Sequence, residues 1–311
     1  MAKTRSKFTE RFVDFLGKLD SLDRRIIFLI IGLVVLFPLL VPLGLPIETT
    51  QLTEDAFYAL DDLPVNAKVL LSFEYGPSTK PEIHPMAISV LRHLFSKGNK
   101  VIVMCLWPDG LFMANEALDL VARQEFRLEY GVDYVNLGYR PGNEAIIKGI
   151  TKSFKANFSI DSKGTPITDI PIMHDIQTAR DVDFIFSLSA GYPGAIEWVL
   201  YAGDPLQVPV SSGNTSIQVN QLLPYVKSGQ MKGIVAGMPG AAEYETMVIR
   251  KIEENIGVVT DEARSLLPNF KDRRNATKFM DAQSIAHLMI VLFIILGNIS
   301  YFVKRRKQRK Y

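Results

Sequence analysis

The chain has 311 residues, of which 48% are apolar and 22% are charged, and it contains a single cysteine, Cys105. This composition excludes an intrinsically disordered chain, and one cysteine excludes an intrachain disulfide framework as well as zinc-finger, iron–sulfur and CxxC chemistry. The length is sufficient for one large domain or two small ones, each with a hydrophobic core.

The net charge of +2 conceals three regions of different charge. Residues 1–25 carry a net charge of +3, residues 26–303 of −7 and residues 304–311 of +6. The basic ends flank two uncharged apolar runs, Ile26 to Leu45 and Ile285 to Val303. Each run is long enough to cross the ~30 Å hydrocarbon core of a bilayer as a helix.

Basic residues lie on the outer flanks of these runs, and the inner flank after the first run has no Lys or Arg before Lys68. The positive-inside rule therefore predicts that both termini are cytoplasmic, although four cations before the second run (Lys271, Arg273, Arg274 and Lys278) oppose it. We predict a two-pass protein with five segments: a cytoplasmic amphipathic basic segment at 1–25, transmembrane helices at 26–46 and 285–303, an extracytoplasmic domain at 47–284, and a basic cytoplasmic tail at 304–311.

Partners are indicated by the second apolar run and by the tail. Asn298 lies inside the apolar run, and a polar side chain in lipid tends to face another helix. Asn298 therefore predicts that the second run pairs with the first run or with another subunit. Basic residues directly after an apolar run are typical of a stop-transfer and headgroup-binding signal. We therefore expect the lipid bilayer and a membrane protein or a second copy of the chain as partners, and no nucleic acid.

Between the two runs, apolar segments alternate with helical patterns, which is typical of parallel strands covered on both faces. We predict six strands, at Lys68–Tyr75, Val101–Trp107, Tyr134–Gly138, Val182–Ser189, Leu206–Val210 and Gly233–Gly237. Helices are predicted at Pro85–Ser96, Leu111–Glu129, Glu144–Phe158, Ala195–Tyr201, Ile217–Lys227 and Ala241–Ile256, and Gly98, Gly131 and Gly257 fall where left-handed C-caps would end three of them. The alternation predicts a doubly wound, mostly parallel, six-stranded Rossmann-like α/β sheet flanked by two transmembrane helices. The long connection at 159–181 predicts that the first and fourth strands lie side by side, with any ligand beyond their carboxyl ends.

A nine-residue pattern follows the fourth and the sixth predicted strands: AGYPGAIEW at 190–198 and AGMPGAAEY at 236–244, with a looser version, GYRPGNE, at 138–144. One interpretation is a shared strand-to-helix turn. The other is an anion cradle, in which glycines let a ligand approach backbone N–H groups at helix N-termini and a nearby arginine pairs with it. The candidate ligand-binding residues are Arg140, Ser189, Gly191, Tyr192, Gly194, Gly237 and Gly240.

Common catalytic motifs are absent: the sequence contains no GxGxxG, GxxxxGK[ST], GxSxG or HExxH pattern. We accordingly expect no cofactor and no metal. Glu74 ends the first predicted strand and Asp109 follows the second, so they are weak candidates for an acid/base pair in the crevice.

Our leading hypothesis is a binding or scaffold subunit of a larger membrane protein complex. The alternative is an envelope enzyme, a hydrolase or transferase acting on an anionic or glycan substrate through Glu74 and Asp109. A third possibility is a ligand sensor coupled to the second transmembrane helix. The absence of catalytic signatures favours the first.

Overall fold

The computed structural model describes residues 23–308. The predicted amphipathic segment at 1–25 lies almost entirely outside the described residues, as do the last three residues of the basic tail. The strands are β1 Lys68–Glu74, β2 Lys100–Cys105, β3 Tyr134–Tyr139, β4 Phe184–Ser189, β5 Val210–Asn214 and β6 Ile234–Ala236. The α-helices are α1 Arg24–Leu40, α2 Gln51–Asp61, α3 Lys80–Ser96, α4 Gly110–Leu118, α5 Glu144–Ile150, α6 Phe154–Asn157, α7 Ala195–Trp198, α8 Asp204–Leu206, α9 Val219–Lys227, α10 Gly237–Glu253, α11 Asp261–Asp272 and α12 Asn275–Gln308.

The six strands form one all-parallel sheet in the order β3-β2-β1-β4-β5-β6. This confirms the predicted Rossmann-like α/β sheet. β1 and β4 are neighbours, and Glu74 at the end of β1 pairs in register with Ser189 at the end of β4. The point where the strand order reverses therefore lies between these two strands, as predicted.

One strand and several helical regions differ from the prediction. The fifth strand was expected at Leu206–Val210 but begins where that range ends, because its sequence, VSSGN, is polar although it is buried. α4 continues as a π-helix over Asp119–Glu125. Three helices, α2, α8 and α11, were not predicted, and the predicted helix at 144–158 is divided into α5 and α6.

The described residues divide into two compact units, one formed by Pro46–Thr277 and the other by residues 23–45 together with residues 278–308. The first unit contains the sheet. On one face of the sheet, strand residues such as Leu70, Ile102 and Ile185 pack under Trp198 in a continuous apolar cluster. In another layer, α3 and α10 pack along each other.

A buried polar cluster, the Asp61 cluster, joins α2 to α3 and α10. Asp61 Oδ1 accepts from Lys251 Nζ at 2.6 Å and lies 3.0 Å from His93 Nε2, and His93 Nδ1 lies 2.7 Å from the Tyr244 hydroxyl. Lys97 Nζ donates to backbone carbonyls at the end of α2. Burial lowers the pKa of His93 to about 4. The ionised Asp61 therefore balances the two buried lysines while His93 stays neutral at pH 7.

The second unit consists of α1 and most of α12, with the segment that follows α1. One helical stretch among the described residues, Asp261–Phe302, is long and apolar enough to cross a membrane. α1 has 17 residues, contains Pro38, and ends at Leu40, with Pro42 two residues further on. It is shorter than the predicted span of 26–46, because an X-Pro sequence disfavours continuation of the helix. The second transmembrane helix is thus supported by length and composition, and the two-span prediction is not confirmed.

Asp281 of α12 binds the segment after α1. Its buried carboxylate accepts hydrogen bonds from the backbone N–H groups of Leu43 at 3.0 Å, Gly44 at 3.0 Å and Leu45 at 3.2 Å. One carboxylate thus accepts from three successive N–H groups, which would otherwise be unpaired because they lie outside a helix.

We expect Asp281→Ala to release this segment. Each lost hydrogen bond contributes about 0.5–1.5 kcal/mol, so cleavage of the detergent-solubilised chain by chymotrypsin after Leu43 should become at least about tenfold faster. His287→Ala, an exposed position on the same helix, is the control and should leave the rate unchanged. Equal cleavage of the Asp281→Ala and wild-type chains would contradict this prediction.

Candidate binding site at the carboxyl ends of β4 and β5

A cavity of about 120 Å³ lies where β4 and β5 end. The loop after β4 forms one wall and the start of α9 forms the opposite wall. Its lining residues are Gly191, Tyr192, Ala195, Ile196, Glu197, Asn214, Gln218, Gln221 and Leu222. The cavity therefore lies at the edge of the sheet where ligands of doubly wound folds bind. It includes two of the predicted ligand-binding residues, Gly191 and Tyr192.

The backbone N–H groups of the loop after β4 are bound by the protein itself. Gly194 N donates to Glu197 Oε2 at 2.8 Å, and Ala195 N donates to Ser189 Oγ at 3.2 Å. With the Gln218 amide oriented so that both its ends are paired, its oxygen accepts from Gly191 N at 3.0 Å. The Glu197 carboxylate thus occupies the position that an anion would take in the predicted cradle, so the loop is a poor site for an anion as it stands.

Asn214 provides an unsatisfied acceptor at this site. Its Nδ2 group donates to Ser189 O at 3.1 Å and to Ser189 Oγ at 2.8 Å. Its Oδ1 atom is buried and has no hydrogen-bond partner among the described residues. An unpaired buried acceptor costs about 1–3 kcal/mol, which a bound donor would offset. Asn214 was missed in the sequence because β5 was placed too early in the chain.

The two copies of the nine-residue pattern do not share a backbone conformation. In the first copy the Tyr192–Pro193 peptide bond is cis and the helix begins only at Ala195. In the second copy α10 begins directly at Gly237, which has a φ of 60°. A Cβ atom at Gly237 would collide with Ser216 Oγ, and one at Gly240 would lie 3.0 Å from the Val235 carbonyl carbon. These two glycines permit close packing, and neither lines the cavity.

The final aromatic residue of each copy is completely buried. Trp198 belongs to the apolar cluster on one face of the sheet, and its indole lies near Glu74 and lowers the pKa of that carboxyl group. Tyr244 donates to or accepts from His93 in the Asp61 cluster. The repeated sequence therefore supplies core residues in two different layers.

Glu74 and Asp109 lie in different surroundings. Glu74 is completely buried and is hydrogen-bonded to the hydroxyls of Ser72 and, at 3.2 Å, Ser187. Burial raises its pKa to about 8, and the contacts with the Ser72 and Ser187 hydroxyls and with the Trp198 indole lower it only in part. Asp109 is exposed, directly before α4, and no hydrogen bond between the two carboxyl groups occurs within residues 23–308. Glu74 is therefore a protonated acid inside the sheet at neutral pH, separated from solvent.

A stripe of buried polar side chains runs along one face of the sheet, at the carboxyl ends of its central strands. It is unusual because parallel strands covered on both faces are normally apolar. Its members are Ser72, Glu74, Ser187, Ser189, Ser212 and Asn214, all completely buried. They occupy alternate positions at the carboxyl ends of β1, β4 and β5, which places them on one face. This period-two pattern of polar residues is the sequence signal that could have located the site.

Arg140 lies away from the cavity. Its Nε atom donates to the Asn157 carbonyl at 3.1 Å, and its guanidinium lies 5.2 Å from the centre of the Phe158 ring. It therefore holds the loop beside β3. A groove of about 470 Å³ near β3 contains Arg123 and Lys163, but Arg123 is paired with Asp119 and Lys163 lies over the Tyr130 ring at 3.2 Å.

No group of three or more His, Cys, Asp or Glu side chains within residues 23–308 is arranged to hold a metal ion. Comparisons of the chain with protein families, with curated proteins and with solved structures gave no match.

Proposed function

We propose that the protein is a two-pass membrane subunit whose sheet-containing domain, residues 47–284, lies outside the cytoplasm and binds a partner or small ligand within a larger membrane protein complex. The observation that carries this proposal is the cavity at the ends of β4 and β5, where Asn214 Oδ1 is buried and unpaired. Binding is favoured over catalysis because Glu74, whose carboxyl pKa is the most strongly shifted near this edge, is buried within the sheet and is not among the residues that line the cavity.

Membrane insertion is supported by the exposed apolar surfaces of α1 and α12. Leu40 is 72% exposed and Leu288 is 63% exposed, and many of their apolar neighbours on both helices are also exposed. Apolar surface of this extent requires an apolar surrounding. The distribution of Lys and Arg supports the orientation: both ends are basic, and no Lys or Arg lies between Leu45 and Lys68.

Asn298 supports association inside the membrane. It lies on α12 among exposed apolar residues and is itself exposed. A polar side chain facing lipid is costly, and an interhelical hydrogen bond with another subunit or a second copy of the chain would satisfy it.

The test is purification of the intact chain in mild detergent, comparing Gln221→Trp with Asn220→Trp. Both positions are exposed and lie on α9, but only Gln221 lines the cavity. We expect the wild type and Asn220→Trp to retain the same stoichiometric partner or small molecule, and Gln221→Trp to lose at least about nine-tenths of it, because the indole obstructs the cavity. Equal retention by the two variants, or a wild-type chain that carries nothing, would overturn the proposal.

A further inference from the structure

We propose that the cavity at the ends of β4 and β5 binds a primary ammonium group, the end of a lysine side chain presented by a partner protein. This inference rests on the proposed function, because it assigns a ligand chemistry to the same site. It reverses the expectation of an anionic ligand.

The orientation of the Asn214 amide is determined by Ser189. The Ser189 carbonyl oxygen is only an acceptor, so the Asn214 group 3.1 Å from it must be the NH₂ end. The opposite end, Oδ1, is then an acceptor, and it is the end without a partner. The ligand group that satisfies it must donate an N–H or O–H bond.

Glu197 adds a negative charge to the same wall. Its Oε2 atom accepts from Gly194 N, and its Oε1 atom has no hydrogen-bond partner in the described part of the chain. No Lys or Arg is among the residues that line the cavity. A donor that also carries a positive charge therefore satisfies Asn214 and balances Glu197, whereas a carboxylate or phosphate would be repelled by the Glu197 carboxylate and would leave Asn214 Oδ1 unpaired.

The size and the mouth of the cavity indicate the source of the ammonium group. A volume of about 120 Å³ exceeds the roughly 30 Å³ that one water molecule occupies in the liquid and leaves room for an ammonium group with a short alkyl stem. Tyr192, in the wall, is 58% exposed, and Ile217, next to the lining residue Gln218, is 86% exposed. Apolar side chains at the mouth suit a lysine stem and its neighbours in a polypeptide.

The chain itself provides the signal for a binding experiment. Its two tryptophans, Trp107 and Trp198, both adjoin the loop after β4: the Trp107 ring packs against Gly191, and Trp198 follows Glu197. We expect n-butylammonium chloride, titrated into the detergent-solubilised full chain at pH 7, to change tryptophan fluorescence saturably. Sodium butyrate at the same ionic strength should not.

Glu197→Gln should weaken n-butylammonium binding at least about tenfold, because a charged hydrogen-bond acceptor is replaced by a neutral one. Glutamine can still accept from Gly194 N, so the loop keeps its cap. The matched control is Glu144→Gln, since Glu144 is hydrogen-bonded to the Tyr192 hydroxyl but does not line the cavity. Saturable butyrate binding, or equal weakening by both variants, would overturn the ammonium assignment.

The peptide acetyl-Leu-Lys-Leu-amide distinguishes a partner's lysine from a free amine. We expect it to bind at least about tenfold more tightly than n-butylammonium, because its flanking side chains contact the mouth. Equal affinity would reject the lysine and leave a free amine as the ligand. Loss of the copurifying partner in Gln221→Trp, with no ammonium binding by the wild type, would reject this inference and retain the proposed function. Retention of the partner by Gln221→Trp, with ammonium binding by the wild type, would reject the proposed function and retain the ammonium site.

Discussion

Replacement of Asp61 by alanine should lower the free energy of unfolding by about 3–5 kcal/mol, the effect of removing one partner from a buried charge cluster. Lys97 and Lys251 are almost completely buried and share this carboxylate. Burial alone would raise the Asp61 pKa, but hydrogen bonds from His93 and Lys251 hold it well below its usual range. The carboxylate is thus ionised at pH 7, and its loss leaves two buried cations without their counter-ion.

The measurement is urea unfolding of the detergent-solubilised full chain at pH 7, followed by tryptophan fluorescence, because both tryptophans lie in the sheet-containing unit. Asp55→Ala is the control. Asp55 is on the same helix and is hydrogen-bonded to the exposed Gln51 at 2.7 Å, so its loss should cost less than about 1 kcal/mol. A comparable small loss in Asp61→Ala would show that the cluster contributes little to stability.

The second large effect has the opposite sign: Glu74→Gln should stabilise the protein by about 3 kcal/mol at pH 7. The pKa of Glu74 is raised by burial to about 8 from an ordinary value of 4.5. The folded state therefore keeps a proton that the unfolded state releases. Stability from this group is fully present below pH 4.5 and is lost as the pH rises toward 8, by up to about 1.4 kcal/mol per pH unit. Glutamine does not titrate, so position 74 of the variant does not lower the free energy of unfolding as the pH rises.

The difference in unfolding free energy between Glu74→Gln and the wild type should accordingly grow from near zero at pH 4.5 to its maximum near pH 8. The serine hydroxyls that bind Glu74 can rotate to pair with an amide. Glu129→Gln, at an exposed position, serves as the control for the general effect of removing one carboxylate. A pH-independent difference, or a less stable Glu74→Gln variant at pH 7, would show that Glu74 is not held protonated.

Much of the fold was predictable because apolar strands and the long mid-chain connection are strong local signals. The neighbouring positions of β1 and β4 followed from that connection alone. Gly98, Gly131 and Gly257 were predicted as left-handed helix ends, and all three have a positive φ. β5 was misplaced because its residues are polar, and burial of a polar strand depends on partners that are distant in sequence, such as Ser189 for Asn214.

The site was only partly predictable for the same reason. Ser189, Gly191 and Tyr192 were placed at the correct edge of the sheet because they directly follow a recognisable strand. The roles of Gly194 and Glu197 depend on a cap that closes within the loop, and identical residues in the second copy of the pattern make different contacts. A local pattern identifies which residues are near a strand end, but it does not determine which of their hydrogen-bonding groups remain available to a ligand.

The contact of Asp281 with Leu43, Gly44 and Leu45 has a consequence for the order of events during synthesis. The segment after α1 is made first, and the carboxylate that binds it emerges 236 to 238 residues later. At about 5–20 residues per second, translation leaves these N–H groups without their native partner for roughly 10–50 s. During that interval water must satisfy them, so α1 reaches its final packing only after nearly the whole chain has left the ribosome.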